Sequence, residues 1–402
     1  MRKTKVYNKE HLKIAMLGHK RIPSREGGIE VVVEEISTRM VALGHEVVCY
    51  NRKGHHVSGK EFDKDTGKVY KGVRLKTVFT IDKKGLAAMS ASIFAALKAA
   101  FGRYDVVHFH AEGPCAMLWL PHIFGKRSVA TIHGLDHLRG KWGRLASAYI
   151  MLGEKTAVKF ADEIIVLSAE GQKYFRDKYG RETKFIPNGV NKPVLREANE
   201  ITANFDLHKD SYILFLGRIV PEKGISYLIE AFKKTETDKK LVIAGGASDT
   251  NNYLDHIKEI TAGDDRIIFT GFVQGSLLEE LYSNAYVYAL PSDLEGMPLS
   301  LLEAMSYGNC CLVSDIAECA EVVSDRAVIF KKSNIDDLCE KLELLCNNPM
   351  LVNKYKKDAA DYIIKKYNWD EVLKQTINLY HGSVEIDSPD NVRIKLEQGV
   401  SE

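Results

Sequence analysis

Residues 12–51 read LKIAMLGHKRIPSREGGIEVVVEEISTRMVALGHEVVCYN, and the fold class turns on this stretch. LKIAML is a short apolar run closed by Gly18, which predicts a buried strand. A polar loop, KRIPSREGGIE, follows it. From about Val31 to Ala42 apolar residues recur at helical spacing, Gly44 stops the helix, and HEVVCYN is apolar again. Strand, loop, helix and strand in succession open a doubly wound sheet.

The same grammar continues outward. Residues 55–83 mix charges with β-like runs at Val69–Tyr70 and Val73–Phe79. Leu86–Phe101 reads as a helix, Asp105–His110 and Ser128–Ile132 as strands, and about Trp142 to Phe160 as a long helix. Glu163–Leu167 and Thr183–Ile186 are further strands, and Pro187-Asn188-Gly189 is a turn. The pattern then restarts. Ser211–Leu216 is a strand, GRIVPEKG a loop, Ile225–Lys234 a helix, and Lys240–Ala244 a strand stopped by Gly245-Gly246. Short strands follow at Ile267–Thr270, Val287–Leu290 and Cys310–Ser314, with helices between them. The expectation is an α/β protein of two Rossmann-like domains, 1–190 and 191–368, joined where NKPVLREANE breaks the periodicity. A helix over about 369–382 is expected to pack back on the first domain, and 383–402 to form a loosely held polar tail.

Bulk properties narrow the function. A chain of 402 residues is too long for one ordinary core and suits two domains. The net charge of +2 hides an asymmetry: residues 1–190 hold 33 Lys and Arg against 19 Asp and Glu, and the remainder 23 against 35. The basic half implies an anionic partner, nucleic acid or an anionic membrane surface, or else a solvated surface of uneven charge. The seven cysteines are odd in number and form no C-x-x-C, so neither a disulfide framework nor a zinc ribbon is indicated, and a reducing compartment fits. The basic start lacks an apolar signal core. The most apolar run, Leu86–Phe101, contains Lys98 and falls short of the ~18–20 residues a membrane span needs.

Four local patterns can carry chemistry. Glu295-Gly296-Met297-Pro298-Leu299-Ser300-Leu301-Leu302-Glu303 follows a strand, with Pro298 at an expected helix start. The helix N-terminus offers unpaired N–H groups suited to phosphate, and the two flanking acids can accept bonds from sugar hydroxyls. Alone, the spacing is more readily that of a loop acid and a capping or solvated helix residue. Gly217-Arg218-Ile219-Val220-Pro221-Glu222-Lys223-Gly224 empties at the carboxyl end of a strand, where its two cations can neutralise a diphosphate. Gly217 and Gly224 beside them permit close approach; otherwise this is an ordinary surface loop. Gly27-Gly28-Ile29-Glu30 can seat a phosphate or acceptor group on backbone N–H donors. His133 in HGLD can hydrogen-bond a sugar hydroxyl, or serve structure alone. His108 and His110 share a strand face, and with His133 they are a less favoured metal site.

Together these pieces resemble the retaining glycosyltransferases of the GT-B fold, glycosyltransferase family 4. The resemblance covers residues 12–380, with GGIE, HGLD, GRIVPEKG and EGMPLSLLE in the family's order, accompanied by PNGV at 187–190, TGFV at 270–273 and LPS at 290–292. The stretch HGLDHLRGKWGRLASAYIMLGEKTAVKFADEIIVLS is similar to a subgroup that includes bacterial rhamnosyltransferases of polysaccharide assembly. His137 departs from it, since that subgroup commonly carries Trp there.

The resemblance implies roles residue by residue. Arg218 and Lys223 grip the donor diphosphate and stabilise the leaving group. Glu303 binds the ribose, and Glu295 the hydroxyls of the transferred sugar. Gly217, Gly296, Met297, Pro298 and Leu299 help position the donor through close backbone approach. His133 holds the sugar near its anomeric centre. Gly27 and Gly28 approach the phosphate or acceptor, and Phe272 and Val273 lie beside the nucleobase, chiefly through backbone. It further implies a nucleotide-sugar donor with UDP first and GDP or dTDP open, a glycan or polyprenyl-diphosphate-linked acceptor, and no metal or other cofactor. Retention by a front-face route agrees with the lack of an obvious carboxylate nucleophile in these motifs. A cytoplasmic enzyme at the inner face of the plasma membrane would give the basic half a purpose. Leu86–Phe101 flanked by Lys83, Lys84 and Arg103, and 139–144 with Trp142, are candidates for that face, although Leu86–Phe101 is equally a core helix. The rival readings are an epimerase or phosphorylase on the same scaffold, a noncatalytic nucleotide-sugar binder, and a nucleic-acid binder, for which no motif is present.

Overall fold

The computed structural model describes residues 9–63, 67–83, 85–138, 143–246 and 252–382. Two parallel sheets divide them. The first holds β1 (Lys13–Leu17), β2 (Glu46–Arg52), β3 (Val69–Tyr70), β4 (Val73–Val78), β5 (Val106–His110), β6 (Arg127–Ile132), β7 (Glu163–Val166) and β8 (Lys184–Phe185), ordered β3-β4-β2-β1-β5-β6-β7-β8. Only the β3–β4 pair is antiparallel. The second holds β9 (Tyr212–Leu216), β10 (Lys240–Ala244), β11 (Ile267–Gly271), β12 (Val287–Leu290), β13 (Cys310–Ser314) and β14 (Val328–Phe330), ordered β11-β10-β9-β12-β13-β14. Strands such as VVHFH and YILFL are almost wholly buried because helices cover both faces of a parallel sheet. In each sheet the chain starts at the centre and later crosses to the other side. That places a crevice at the carboxyl ends of β1 and β5, and another at those of β9 and β12.

The expected two-domain α/β architecture is present, with local shifts. The first helix runs Gly28–Ala42 and so begins before Val31, with Gly27 as its cap. Apolar periodicity is blind to a first turn that opens on glycine, although Ile29 already packs on the core. Pro298 caps its helix, Leu299–Ser306, and stands one residue before the helical start expected for it. The long helix spans Arg144–Phe160. Trp142, Arg139, Lys84 and the tail 383–402 lie outside the described residues. β14 was not anticipated; its three residues at a sheet edge are too few for a periodic signal.

The helix Trp369–His381 returns from the second domain to the first. Trp369, Val372, Leu373, Leu379 and Tyr380 join Leu12, Ile14, Met16 and Met40 in one core. Burying each large side chain contributes roughly 1.5–3 kcal/mol. The buried Arg127 donates from Nε to the Leu379 carbonyl at 2.8 Å, and His108 Nδ1 meets the Tyr380 hydroxyl at 2.6 Å. The crossing is tight: a Cβ at Gly189 would lie 2.4 Å from the Trp369 ring, which accounts for glycine in PNGV. No helix among the described residues is long and apolar enough to cross a membrane.

Candidate active site

At the end of β9 the chain bends into a loop stitched to β10. The Gly217 amide donates to Ala244 and the Ile219 amide to Gly246, both at 3.0 Å, and half-buried Arg218 stands between them. Gly245 lies at φ +146°, and a Cβ there would be 1.8 Å from the Gly217 carbonyl oxygen, so only glycine lets the loops meet. The turn Pro221–Lys223 ends at Gly224, φ +63°, pressed against Pro291 at the end of β12. This aims Lys223 at the EGMP loop. Its ammonium donates to Glu295 Oε1 at 2.5 Å, and Ser292 Oγ donates to the same oxygen at 2.7 Å. The two charged side chains are only 12% and 8% exposed.

Next to Glu295 the domains touch. A Cβ at Gly296 would lie 1.7 Å from the His133 carbonyl oxygen, and one at Gly28 would lie 3.3 Å from Leu299 Cδ1. The N-termini of helices Gly28–Ala42 and Leu299–Ser306 therefore face each other across the cleft, both with orphan N–H groups. Asn188 fastens Met297 from below: its amide nitrogen reaches Sδ at 3.1 Å and its side chain donates to the Met297 carbonyl at 3.3 Å.

Glu303 lies one turn into that helix. Tyr282 donates to its Oε2 at 3.1 Å, and Arg25, from the loop before Gly27-Gly28, pairs with Oε1. The Glu303 carboxylate is the largest influence raising the Arg25 guanidinium above its ordinary range. Tyr288 ties the parts together: its hydroxyl meets Ser300 Oγ at 2.8 Å and the Leu216 carbonyl at 3.3 Å. Burial raises its hydroxyl pKa well above the usual value, and the nearby carboxylates of Glu295 and Glu303 add to the effect.

His133 Nε2 meets His110 Nδ1 at 3.0 Å. Desolvation lowers the His133 pKa to about 4, against the pull of Asp136 and Glu30. His133 is therefore a neutral hydrogen-bonding group at pH 7, not a cation. The notion of a His108–His110–His133 metal site meets an obstacle: Tyr380 and Thr131, at 2.6 and 2.7 Å, occupy both ring nitrogens of His108.

Phe272 turns its ring to the first domain, 4.5 Å from the His56 ring and 4.8 Å from that of Phe62, and Val273 is buried. This aromatic contact borders a cavity of about 430 Å³ between the domains, lined also by Ser58, Ile219, Gly245, Gly246 and Thr270. A larger cavity of about 600 Å³, lined by Lys13, Glu46, Arg74, Lys98 and Arg103 among others, opens at the amino ends of β1 and β2. That is the wrong end of the sheet for the ligand crevice of such folds.

Two family models divide the chain between them. Residues 26–192 match "Glycosyltransferase Family 4" and residues 198–366 match "Glycosyl transferases group 1". The chain is a GT-B glycosyltransferase. It is 26% identical to a glycosyltransferase of Methanocaldococcus jannaschii over 93% of this chain and 99% of that one. It is also 26% identical, over 56% of this chain and 62% of the other, to the N,N'-diacetylbacillosaminyl-diphospho-undecaprenol alpha-1,3-N-acetylgalactosaminyltransferase of Campylobacter jejuni. Among solved folds, HepE of Anabaena in complex with UDP-glucose superposes with a TM-score of 0.76 at 15% identity, covering 92% of this chain and 99% of that chain.

In this glycosyltransferase the motifs around Gly28, His133, Lys223, Glu295 and Glu303 meet at one cleft. Sequence reading missed Arg25, Ser292, Tyr282 and Tyr288. Ser292 was visible only as part of LPS, and the tyrosines read as strand or helix core. Arg25 stands two residues before Gly27-Gly28, but nothing in one sequence ties it to an acid 278 positions away.

Proposed function

We propose that the enzyme transfers a sugar, with retention at the anomeric carbon, from a nucleoside diphosphate donor to a polyprenyl-diphosphate-linked or other glycan acceptor. The product belongs to a bacterial surface polysaccharide, and the work is done at the cytoplasmic face of the membrane. UDP is the first choice of nucleotide. The observation that carries the reading is the nearly dry Lys223–Glu295 pair lying beside the Gly296–His133 contact.

In the reading proposed here, the donor diphosphate draws the Lys223 ammonium away from Glu295 and is gripped with Arg218, so that charge developing on the leaving phosphate meets cations already in place. Glu295, released, accepts hydrogen bonds from the transferred sugar. Gly296 to Leu299 bring backbone against it, and neutral His133 holds the sugar from the other domain. Glu303 faces the ribose, and the cavity beside Phe272 and Val273 takes the base. The route is front-face, since the motifs offer no obvious carboxylate nucleophile. The undecaprenol acceptor named for the Campylobacter relative and the UDP-glucose complex of HepE favour the same substrate classes.

A membrane-facing acceptor side is supported by an apolar patch on the basic domain. Helix Leu86–Phe101 buries alanines and turns Phe94, Leu97 and Phe101 outward. Phe79 stacks edge-on against Phe94, and Phe124 against Phe101, with Ile123 exposed alongside. Phe101, 71% exposed, is the most open of them.

A panel of UDP-, GDP- and dTDP-sugars, scored by thermal protection and then by slow donor hydrolysis, tests the donor. One nucleotide sugar is expected to protect and to be consumed faster with a polyprenyl-diphosphate glycan present; protection by none overturns the reading. Product NMR decides retention. Binding to anionic vesicles at low salt, lost in a Phe94→Ser/Phe101→Ser variant, tests the membrane face.

A further inference from the structure

One buried polar cluster takes no part in the donor site. Glu112 follows β5 by two residues, His137 lies in the turn Asp136–Leu138, and Glu154 sits inside helix Arg144–Phe160. Both carboxylates are 0% exposed and the imidazole is 10% exposed. Gly153 brings them together: a Cβ there would lie 1.9 Å from the Glu112 carbonyl oxygen, so the helix presses directly on the chain after β5.

Glu154 is well supplied with donors. Lys178 Nζ reaches its Oε1 at 3.0 Å, the Tyr174 hydroxyl donates to it at 3.1 Å, and the Tyr179 hydroxyl donates as well. Glu112 is not: neither of its oxygens, nor His137 Nδ1, has a partner at full hydrogen-bond geometry among the described residues, although the Glu154 carboxyl and the Asp136 amide lie close enough to act on Glu112. Tyr174, having given its proton to Glu154, can only accept from His137 Nε2, 3.3 Å away. That tautomer points the bare Nδ1 lone pair at Glu112 Oε1, 3.5 Å away, and at Glu154 Oε2, 3.4 Å away. With Glu112 ionised, three acceptors face one another in a dry space, which is costly; burial and Glu154 accordingly push the Glu112 carboxyl well above its usual range, so either a proton or a metal ion must lie between them.

The spacing favours a metal ion over a shared proton. Ligand bonds of about 2.0–2.2 Å at tetrahedral angles put neighbouring ligand atoms about 3.3–3.6 Å apart. The two distances from Nδ1 fall in that range, and the candidate ligand atoms of all three residues lie within 4.8 Å of one another. The Nε2–Tyr174 contact is the outer hydrogen bond that orients a ligating imidazole. An imidazole among three ligands suits zinc and its first-row neighbours better than calcium or magnesium, which seek more oxygens.

We propose that Glu112, His137 and Glu154 bind one divalent transition-metal ion of the zinc class. The ion braces the turn that follows His133 against β5 and the long helix, and it stands apart from the phosphate chemistry, so the inference does not depend on the function proposed above.

The test uses the full chain, freed of metal by a chelator and dialysed against zinc, with uptake measured by elemental analysis. About one zinc per chain is expected, with cobalt giving the visible absorption of a tetrahedral complex. Glu112→Gln and His137→Ala are each expected to weaken zinc binding by at least about 10-fold and to abolish the cobalt band. Failure of the wild type to take up stoichiometric zinc overturns the proposal and leaves a proton shared by the carboxylates. Unchanged uptake in the variants also overturns it, since the ion then sits elsewhere. Should Glu112→Gln fail to fold by circular dichroism, His137→Ala carries the test.

Discussion

The two crevices of this molecule solve opposite electrostatic problems. At the carboxyl ends of β9 and β12 the second domain keeps opposite charges together, with Lys223 on Glu295 in near-complete burial. At the carboxyl ends of β1, β5 and β6 the first domain gathers imidazoles and strips them of charge. Desolvation lowers His108 to about 3 and both His19 and His133 to about 4, and drives His110 well below its usual value. One wall carries a buried pair of opposite charges and the other a row of neutral imidazoles. Since the fold is nearly the same on both sides, the difference lies in the few side chains at the strand ends.

The largest effect should come from breaking the charged wall. Lys223→Ala and Glu295→Ala are each expected to lower turnover by at least about 100-fold. Each also strands a charge, at a cost of up to about 3–5 kcal/mol were the pair fully dry. A Lys223→Met/Glu295→Leu double variant separates the two consequences: its melting temperature should recover and its turnover should not. Recovery of both would mean that the pair serves structure alone.

The junction between the walls comes next. Gly296→Ala puts a methyl group where the His133 carbonyl oxygen already stands. The domains must part, and turnover should fall on the order of 100-fold while nucleotide affinity, held by the second domain, changes little. Equal losses of affinity and turnover would show that closure is not what the methyl disturbs.

The neutral wall is tested by pH. Its histidines have folded pKa values below the unfolded 6.5, so between about 4 and 6.5 the unfolded chain binds more protons. Their contribution to stability is therefore complete above pH 6.5 and is lost as pH falls toward about 4, and for His108 toward about 3. Melting temperature should decline across that window, and His108→Gln should make the decline shallower. An unaltered slope in that variant would remove His108 from the account.

What the sequence disclosed follows the same division. All strands but β14, and the EGMP and GRIVPEKG loops, were legible because each is a local run whose chemistry is complete within a dozen residues. The roles of Gly28 and Gly296 were half legible: the glycines were visible, the backbones they clear were not. The buried histidine row and the Glu112–His137–Glu154 cluster were opaque. Their meaning depends on desolvation and on contacts between β5, β6 and a helix, which no spacing records. Arg25 was opaque for the same reason, its partner lying in the other domain.

Arg25 gives the smallest and subtlest expected effect. The pair with Glu303 is partly open to solvent, with side chains 35% and 21% exposed, so its worth is no more than about 1 kcal/mol. It nonetheless occupies the carboxylate assigned to the ribose, from a loop that belongs to the first domain. A nucleotide entering the cleft has to displace it. Arg25→Gln should therefore tighten nucleoside diphosphate binding by up to about 5-fold, the equivalent of that displaced pair, and leave turnover at saturation within a factor of about two. Isothermal titration with UDP at low and high salt checks the sign, since salt screens the pair in the wild type and should bring the two proteins' affinities together. Weaker binding in the variant would reverse the argument: Arg25 would then reach across the cleft as a second hand on the phosphates, and the pair with Glu303 would be its resting place.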